Sequence, residues 1–150
     1  MYDKETSTEA EYSYPNIEAE EEEKMILTFR VDGNPIAKSN SYRIHNNCLY
    51  KTANCKKWEA KVELAARMAI EARGLSGSLP LIEKGYYVGM NIKWFRRGSR
   101  RQDLDNIIKS IQDSLNKTVY YDDSQIIELS AQRFDNCPKD YVQIKVWSWK

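Results

Sequence analysis

The sequence predicts a single α+β domain in which helices pack against one mixed or antiparallel sheet. Two observations predict this fold class. Several short segments alternate apolar and polar residues, as strands do, and two longer segments place apolar residues at the helical period. A chain of 150 residues, 41% of them hydrophobic, is long enough to bury one core. The sequence shows no internal repeat that would indicate a second domain.

The first half of this domain is predicted to contain a strand, a small hairpin and a helix. Met25–Val31 is short, apolar and partly alternating, and is followed by turn residues. Tyr42–Ile44 and Leu49–Lys51 flank a turn and predict the hairpin. The polar loop before it contains Lys38 and is either an ordinary surface loop or a contact to a DNA backbone. Thr52–Arg73 is the predicted helix, with an apolar stripe at Trp58, Val62, Ala65 and Ala69.

Local signals mark the two ends of this helix. Thr52 or Asn54 can cap its N-terminus, and Gly74 follows its last turn, where a left-handed residue is favoured.

Three further strands are predicted in the second half. Tyr86–Phe95 alternates over its whole length, and Gln125–Phe134 and Tyr141–Trp149 show the same pattern. One face of the first of these strands is apolar at Tyr86, Val88, Met90, Ile92 and Trp94.

The stretch from residue 96 to residue 123 combines a basic loop, an amphipathic helix and an acidic pair. Asp103 occupies the N-cap position of the predicted helix, and Asn116 is its expected C-terminal stop. The helix has one apolar stripe at Leu104, Ile107, Ile108, Ile111 and Leu115. Before it lie Arg96, Arg97, Arg100 and Arg101, and after it lie Asp122 and Asp123.

This stretch favours metal-dependent cleavage of phosphodiesters. Hard divalent cations activate water for that reaction, and they prefer oxygen ligands. Lys109, one turn after Asp105, is placed to stabilise a charged phosphate. We expect the carboxylates of Asp103, Asp105, Asp122 and Asp123 to form a metal site, and the four arginines and Lys38 to bind DNA phosphates. Each feature alone has an ordinary explanation in helix capping or surface ion pairing, so the prediction depends on their combination.

Charge is divided unevenly along the chain, although the formal net charge is only +1. Residues 1–23 carry a charge of −8 and the remaining residues a charge of +9. We interpret residues 1–24 as a disordered acidic tail and residues 25–150 as the folded domain. The tail either improves solubility or competes with DNA for the domain. A basic domain favours a polyanionic partner, with nucleic acid first.

Other classes of protein are disfavoured. No apolar run approaches the ~20 residues that span a bilayer, and the N-terminus does not have the pattern of a signal peptide. The three cysteines, Cys48, Cys55 and Cys137, show no C-x-x-C spacing, and His45 is the only histidine. We therefore expect free thiols in a reducing cytoplasm, without a structural zinc site.

The central motif resembles that of the RusA-type Holliday junction resolvases. The basic run, the strand before it and the early loop 35–40 also fit, and the resemblance extends from Met25 to the C-terminus. The residues of the motif are Asp103, Leu104, Asp105, Asn106, Lys109, Asp113 and Leu115, then Asp122, Asp123, Gln125 and Ile126.

The resemblance implies an α+β homodimer that binds four-way DNA junctions and makes paired symmetric nicks with Mg²⁺ or Mn²⁺. The essential acids of the family match Asp103, Asp105 and Asp123, and its essential lysine matches Lys109. Asp122 is expected as a supporting ligand. Genes of this family are frequent in phages and prophages, so a bacterial or phage-infected cell is the expected source. The alternatives are a DNA-binding protein of the same fold without catalysis, and a nuclease for other branched DNA.

Overall fold

The structure, a computed structural model, describes residues 25–37, 42–75 and 77–149. The predicted acidic tail and Lys38 lie outside these ranges. The described residues form two α-helices, a four-stranded mixed sheet and a separate two-stranded sheet. The predicted α+β fold in a single domain is confirmed.

Eight elements make up the described fold, with a short 3₁₀ turn, Asp123–Gln125, before the fifth strand. In chain order they are β1 (Met25–Asp32), β2 (Tyr42–His45), β3 (Cys48–Lys51), α1 (Ala53–Ala72), β4 (Tyr87–Phe95), α2 (Leu104–Ser114), β5 (Ile126–Phe134) and β6 (Tyr141–Trp149). All the predicted strands and helices are present, with boundaries within one or two residues of the prediction.

The four-stranded sheet has the order β1-β6-β4-β5. β6 pairs antiparallel with both β1 and β4, whereas β4 and β5 are parallel. A parallel pair needs a crossover between the end of one strand and the start of the next, and α2 lies within that connection. The loop of residues 96–101 (the arginine loop) and the turn of residues 122–125 (the acidic turn) flank α2 in sequence. They are therefore the two ends of one crossover.

One face of the sheet packs against the helices and forms the core. On β4 the predicted apolar positions Val88, Met90, Ile92 and Trp94 are buried, and on α2 Ile107, Ile111 and Leu115 are buried. Trp58 and Val62 bring α1 onto the same core. Burying these stripes is the main favourable contribution to folding, because each removes apolar surface from water.

The helix termini follow the predictions. The Thr52 hydroxyl caps α1 by accepting the Cys55 N–H at 3.3 Å, and Gly74 is left-handed with φ 69°. At the end of α2, Ser114 is the last helical residue and Leu115 is the C-cap, so the predicted stop at Asn116 is confirmed. The left-handed residue there is Lys117, with φ 67°.

The opposite face of the sheet carries aromatic side chains. Phe95 stacks on Phe134 and on Tyr141, with ring centres 4.8 Å and 4.5 Å apart. Trp147 covers Gly89 on the neighbouring strand. β5 is an edge strand, and its Ile127 side chain is exposed.

Two expectations from composition can be compared with the described residues. The three cysteines are free thiols, as predicted. Neither of the two helices is long and apolar enough to cross a bilayer.

The close approach of Gly89 to Trp147 predicts a loss of stability when a side chain is added. A Cβ at position 89 would overlap the indole ring, so the Gly89→Ala variant must displace Trp147 or the strand. We expect the free energy of unfolding, measured by urea denaturation, to fall by about 1–3 kcal/mol. Gly77→Ala is the matched control, because nothing lies within 4 Å of a Cβ there. Equal stability of the two variants would contradict this packing.

Candidate active site

The acidic pair is held by a 3₁₀ turn that directly precedes β5. The Asp122 carboxylate accepts the Ser124 N–H at 3.1 Å. In return, the Gln125 side chain accepts the Asp122 N–H at 3.0 Å. This reciprocal capping arrangement satisfies backbone groups at the start of the turn. The hydrogen bonds from Ser124 lower the pKa of Asp122, so this carboxyl is ionised at neutral pH.

Gln125 also anchors the turn to the chain that enters β4. Its side-chain amide donates to the carbonyl of Glu83 at 2.8 Å and to that of Tyr86 at 3.0 Å. The same side chain therefore accepts one hydrogen bond from the turn and donates two to a different segment. In the sequence Gln125 stands out only as part of a motif, because its partners lie about forty residues away.

Asp103 and Asp105 lie at the start of α2. Asp103 is the N-cap residue, but its side chain makes no capping hydrogen bond, and Asp105 lies in the first turn. Both residues are exposed. Carboxylates at this end of a helix are favoured by its dipole, which offsets part of their mutual repulsion.

Lys109 connects α2 to the acidic turn. Its ammonium group donates a hydrogen bond to the Asp123 carboxylate and lies 3.3 Å from the Asp113 carboxylate. The bond to Asp123 is the main reason that the pKa of Lys109 is raised, against the opposing effect of burial. Lys109 is therefore a cation at neutral pH, with two anionic partners.

The structure thus brings together only part of the predicted acidic cluster. Lys109, Asp113 and Asp123 are in contact, so the start of β5 does return to α2. Among residues 25–37, 42–75 and 77–149, no three His, Cys, Asp or Glu side chains are close enough to hold a metal ion. The four-carboxylate metal site therefore stays a prediction, and a bound divalent cation would relieve the mutual repulsion of its carboxylates.

The donor set itself suits a hard divalent cation. All four predicted ligands are carboxylates, the oxygen ligands that Mg²⁺ and Mn²⁺ favour. They occur on two segments, the start of α2 and the 3₁₀ turn, that Lys109 links.

Arg96 is a correction to the predicted DNA-binding set. Its side chain is only 3% exposed, and its Nε donates to the Asp135 carboxylate at 2.6 Å. A second guanidinium nitrogen donates to the Gln102 side chain at 3.2 Å, and the bond from Arg96 lowers the pKa of Asp135. Arg96 therefore fixes the base of the arginine loop and does not face solvent. Sequence alone cannot separate such an arginine from its exposed neighbours, because its partners lie elsewhere in the chain.

Arg97, Arg100 and Arg101 are exposed, as a role in binding DNA requires. Arg97 also lines a cleft of about 350 Å³ with Arg30 and Lys139. The cleft contains two carboxylates as well, Asp32 and Asp140, so its charge is mixed.

The sequence motif does not mark Asp113 as a partner of Lys109, and no sequence pattern indicates a role for Lys84, Lys117 and Tyr121. The ring of Tyr121 lies close to both of these lysines. Hydrogen bonding from Lys84 and the charge of Lys117 lower the pKa of Tyr121. No sequence signal marks Lys84, which precedes Tyr121 by 37 positions.

Comparison with known proteins gives consistent matches. Residues 32–145 match the family model of endodeoxyribonuclease RusA. The chain is 37% identical over 62 residues to a crossover junction endodeoxyribonuclease rusA of Lactococcus phage r1t, a match that covers 41% of this chain and 47% of that protein. It is 38% identical over 42 residues to the uncharacterised protein YqaN of Bacillus subtilis (strain 168), covering 28% of this chain and 30% of that protein.

The chain therefore spans about half or less of the length of these curated relatives. The family match is much longer. It includes most of the described fold, the arginine loop, α2, the 3₁₀ turn and β5. From the four-stranded sheet, the linked motif and this match, we conclude that the chain belongs to the RusA endodeoxyribonuclease family.

Proposed function

We propose that this protein is an endodeoxyribonuclease that resolves four-way (Holliday) DNA junctions by paired, symmetric cleavage of phosphodiesters. The observation that carries the proposal is the contact of Lys109 with Asp123, which links the two parts of the acidic motif. Membership of the RusA family and the likeness to the phage protein support the choice of substrate.

The proposal includes Mg²⁺ or Mn²⁺ as cofactor, held by Asp103, Asp105, Asp122 and Asp123. When bound, such a cation lowers the pKa of water and offsets negative charge on phosphate. The donor chemistry of the four carboxylates supports this choice, and the ionised state of Asp122 favours cation binding.

The remaining roles belong to residues of the chain itself. Lys109 carries a positive charge next to Asp123, and it is placed to donate a hydrogen bond to a phosphate oxygen as negative charge develops there. Arg97, Arg100 and Arg101 bind neighbouring phosphates through their guanidinium groups, which can donate two parallel hydrogen bonds. Arg96 positions this loop through Asp135.

The proposed assembly is a homodimer acting in the cytoplasm of a bacterial or phage-infected cell. A four-way junction has approximate two-fold symmetry, and a dimer with a two-fold axis can present one site to each of two strands. Tyr141 and Trp147, on the sheet face away from the helices, already have partners in the chain. The exposed edge of β5, with Ile127 and Leu129, is the better candidate surface.

The central prediction concerns Asp105. The Asp105→Asn variant removes a proposed ligand but leaves Lys109 and its partners intact. With Mg²⁺ and a labelled synthetic four-way junction, we expect wild-type protein to make paired symmetric nicks that EDTA abolishes. The nicking rate of the variant should fall by at least about 10²-fold, while junction binding without divalent cations is retained.

Glu71→Gln is the matched control, since it neutralises an exposed acid at the end of α1. An Asp105→Asn variant that nicks at the control rate would refute the site. Binding without nicking by wild-type protein would indicate a DNA-binding protein, and nicking of flaps in preference to junctions would indicate a different branched substrate.

A second prediction concerns the arginine loop. Replacing Arg100 and Arg101 by Ala should weaken junction binding and reduce the slope of log K against log salt by about two, because each phosphate contact releases about one counterion. Fluorescence anisotropy over a range of NaCl concentrations measures this slope. Arg67→Ala, on the exposed side of α1, is the control and should leave it unchanged. An unchanged slope in the double variant would remove this loop from the DNA surface.

A third prediction concerns Gln125 as a positioning residue. Gln125→Glu has nearly the same shape, but a carboxylate oxygen would face the carbonyls of Glu83 and Tyr86. The turn should then shift together with Asp123, and the nicking rate should fall roughly 10–100-fold, with little change in junction affinity without divalent cations. Gln143→Glu on β6 is the exposed control. A merely unstable variant would lose binding and nicking together, which would argue against a positioning role.

A further inference from the structure

Two lysines share one aromatic ring beside the acidic turn. Tyr121 directly precedes Asp122, and its ring centre is 3.2 Å from the Lys117 ammonium and 4.0 Å from the Lys84 ammonium. Contacts of this kind are favourable, because the face of an aromatic ring is electron-rich. We call these three residues the lysine platform. None of them is among the motif residues between Asp103 and Ile126 that carry the resemblance to the family.

The fold holds the platform in place from two sides. The backbone N–H of Lys117, in its left-handed conformation, donates to the Tyr120 carbonyl at 2.7 Å. The segment before Lys84 is bound to the same turn by two backbone hydrogen bonds, which join the N–H groups of residues 81 and 82 to the carbonyls of residues 118 and 119. Backbone hydrogen bonds therefore bring the segments of the two lysines together at Tyr121.

The platform concentrates positive charge. Neither Lys84 nor Lys117 forms an ion pair with a carboxylate among the residues that the structure describes. Two ammonium groups near one ring repel each other, and an anion bound beside them would relieve the repulsion. The charge of the site therefore suits a phosphate group.

The platform also has a defined position relative to the candidate active site. The arginine loop precedes α2, Lys109 lies in the middle of α2, and Lys117 follows its C-terminal end. A helix of 11 residues is roughly 16 Å long. One DNA strand has a phosphate about every 3.4 Å along the helix axis, so several phosphates fit along α2.

We propose that Lys84 and Lys117, positioned by the ring of Tyr121, bind a backbone phosphate of the cleaved strand. This phosphate lies on the side of Asp122 and Asp123 that is away from the arginine loop. This inference rests on the proposed function for its substrate. It assigns to the protein a second phosphate-binding site, so that a strand is held on both sides of the acids. Each further phosphate contact adds to the affinity for the junction, so we expect the platform to act on binding and not on the rate of cleavage.

The test uses the full chain and a synthetic four-way junction without divalent cations. We expect Lys84→Gln and Lys117→Gln each to reduce the slope of log K against log salt by about one, and each to weaken binding about tenfold near 0.1 M salt. The double variant should lose about two units of slope. Lys→Arg replacements at the same positions should keep the slope, since they keep the charge.

Lys145→Gln is the matched control. Lys145 also lies over an aromatic ring, that of Trp147 at 5.5 Å, but on the sheet face opposite the helices. The slope of log K against log salt for the Lys145→Gln variant should equal that of the wild type. A double Lys84→Gln, Lys117→Gln variant with the same slope as this control would overturn the inference.

A nicking assay in Mg²⁺ distinguishes a failure of this inference from a failure of the proposed function. If wild-type protein binds junctions but does not nick them, the proposed function fails, and the salt slopes still decide whether the platform binds DNA. If wild-type protein nicks, the double variant should require more protein for half-maximal nicking, while its rate at saturating protein remains within about threefold of wild type. Equal half-maximal concentrations would contradict a role in binding.

Discussion

The contact between Lys109 and Asp123 is the interaction on which the candidate site depends. The two residues lie 14 positions apart, on α2 and on the turn that begins β5. The parallel pairing of β4 with β5 requires a crossover, which contains α2. The contact joins α2 to the last turn of this crossover, directly before β5. The ion pair contributes little to stability itself, because the side chain of Lys109 is 46% exposed and water screens the pair. Its importance lies in where it places charge.

The position of Asp123 is instead fixed by uncharged groups. Gln125 binds both the turn and two carbonyls of the segment before β4, and these hydrogen bonds are neutral and insensitive to salt. The Asp123 carboxylate is thus positioned through the backbone of its turn. Among the residues that the structure describes, its oxygens are bonded only to Lys109. The same division occurs in the arginine loop, where buried Arg96 holds the backbone and its exposed neighbours face solvent.

Sequence patterns predicted the elements well and the site only in part. Periodicity predicts strands and helices because burial of one face is a local property, and Ile107, Ile111 and Leu115 are buried as expected. It cannot tell which of four neighbouring arginines turns inward, because Asp135 lies on another strand end. Nor can it predict that Lys109 pairs with Asp113 and Asp123 and not with Asp105, since all three spacings are compatible with contact. Lys84 carries no local signal at all.

The two partners of Lys109 bear on what the site can do. A lysine with one carboxylate partner would lose its anchor when it turned to a phosphate. Lys109 contacts both Asp113 and Asp123, so it can exchange one of them for a phosphate oxygen and remain anchored by the other. Asp113 lies one helical turn from Lys109 on α2, where the pairing geometry is set by the helix itself. The helix therefore keeps the Lys109 ammonium in place, and in the proposed function this exchange would leave the Asp123 carboxylate to act as a metal ligand.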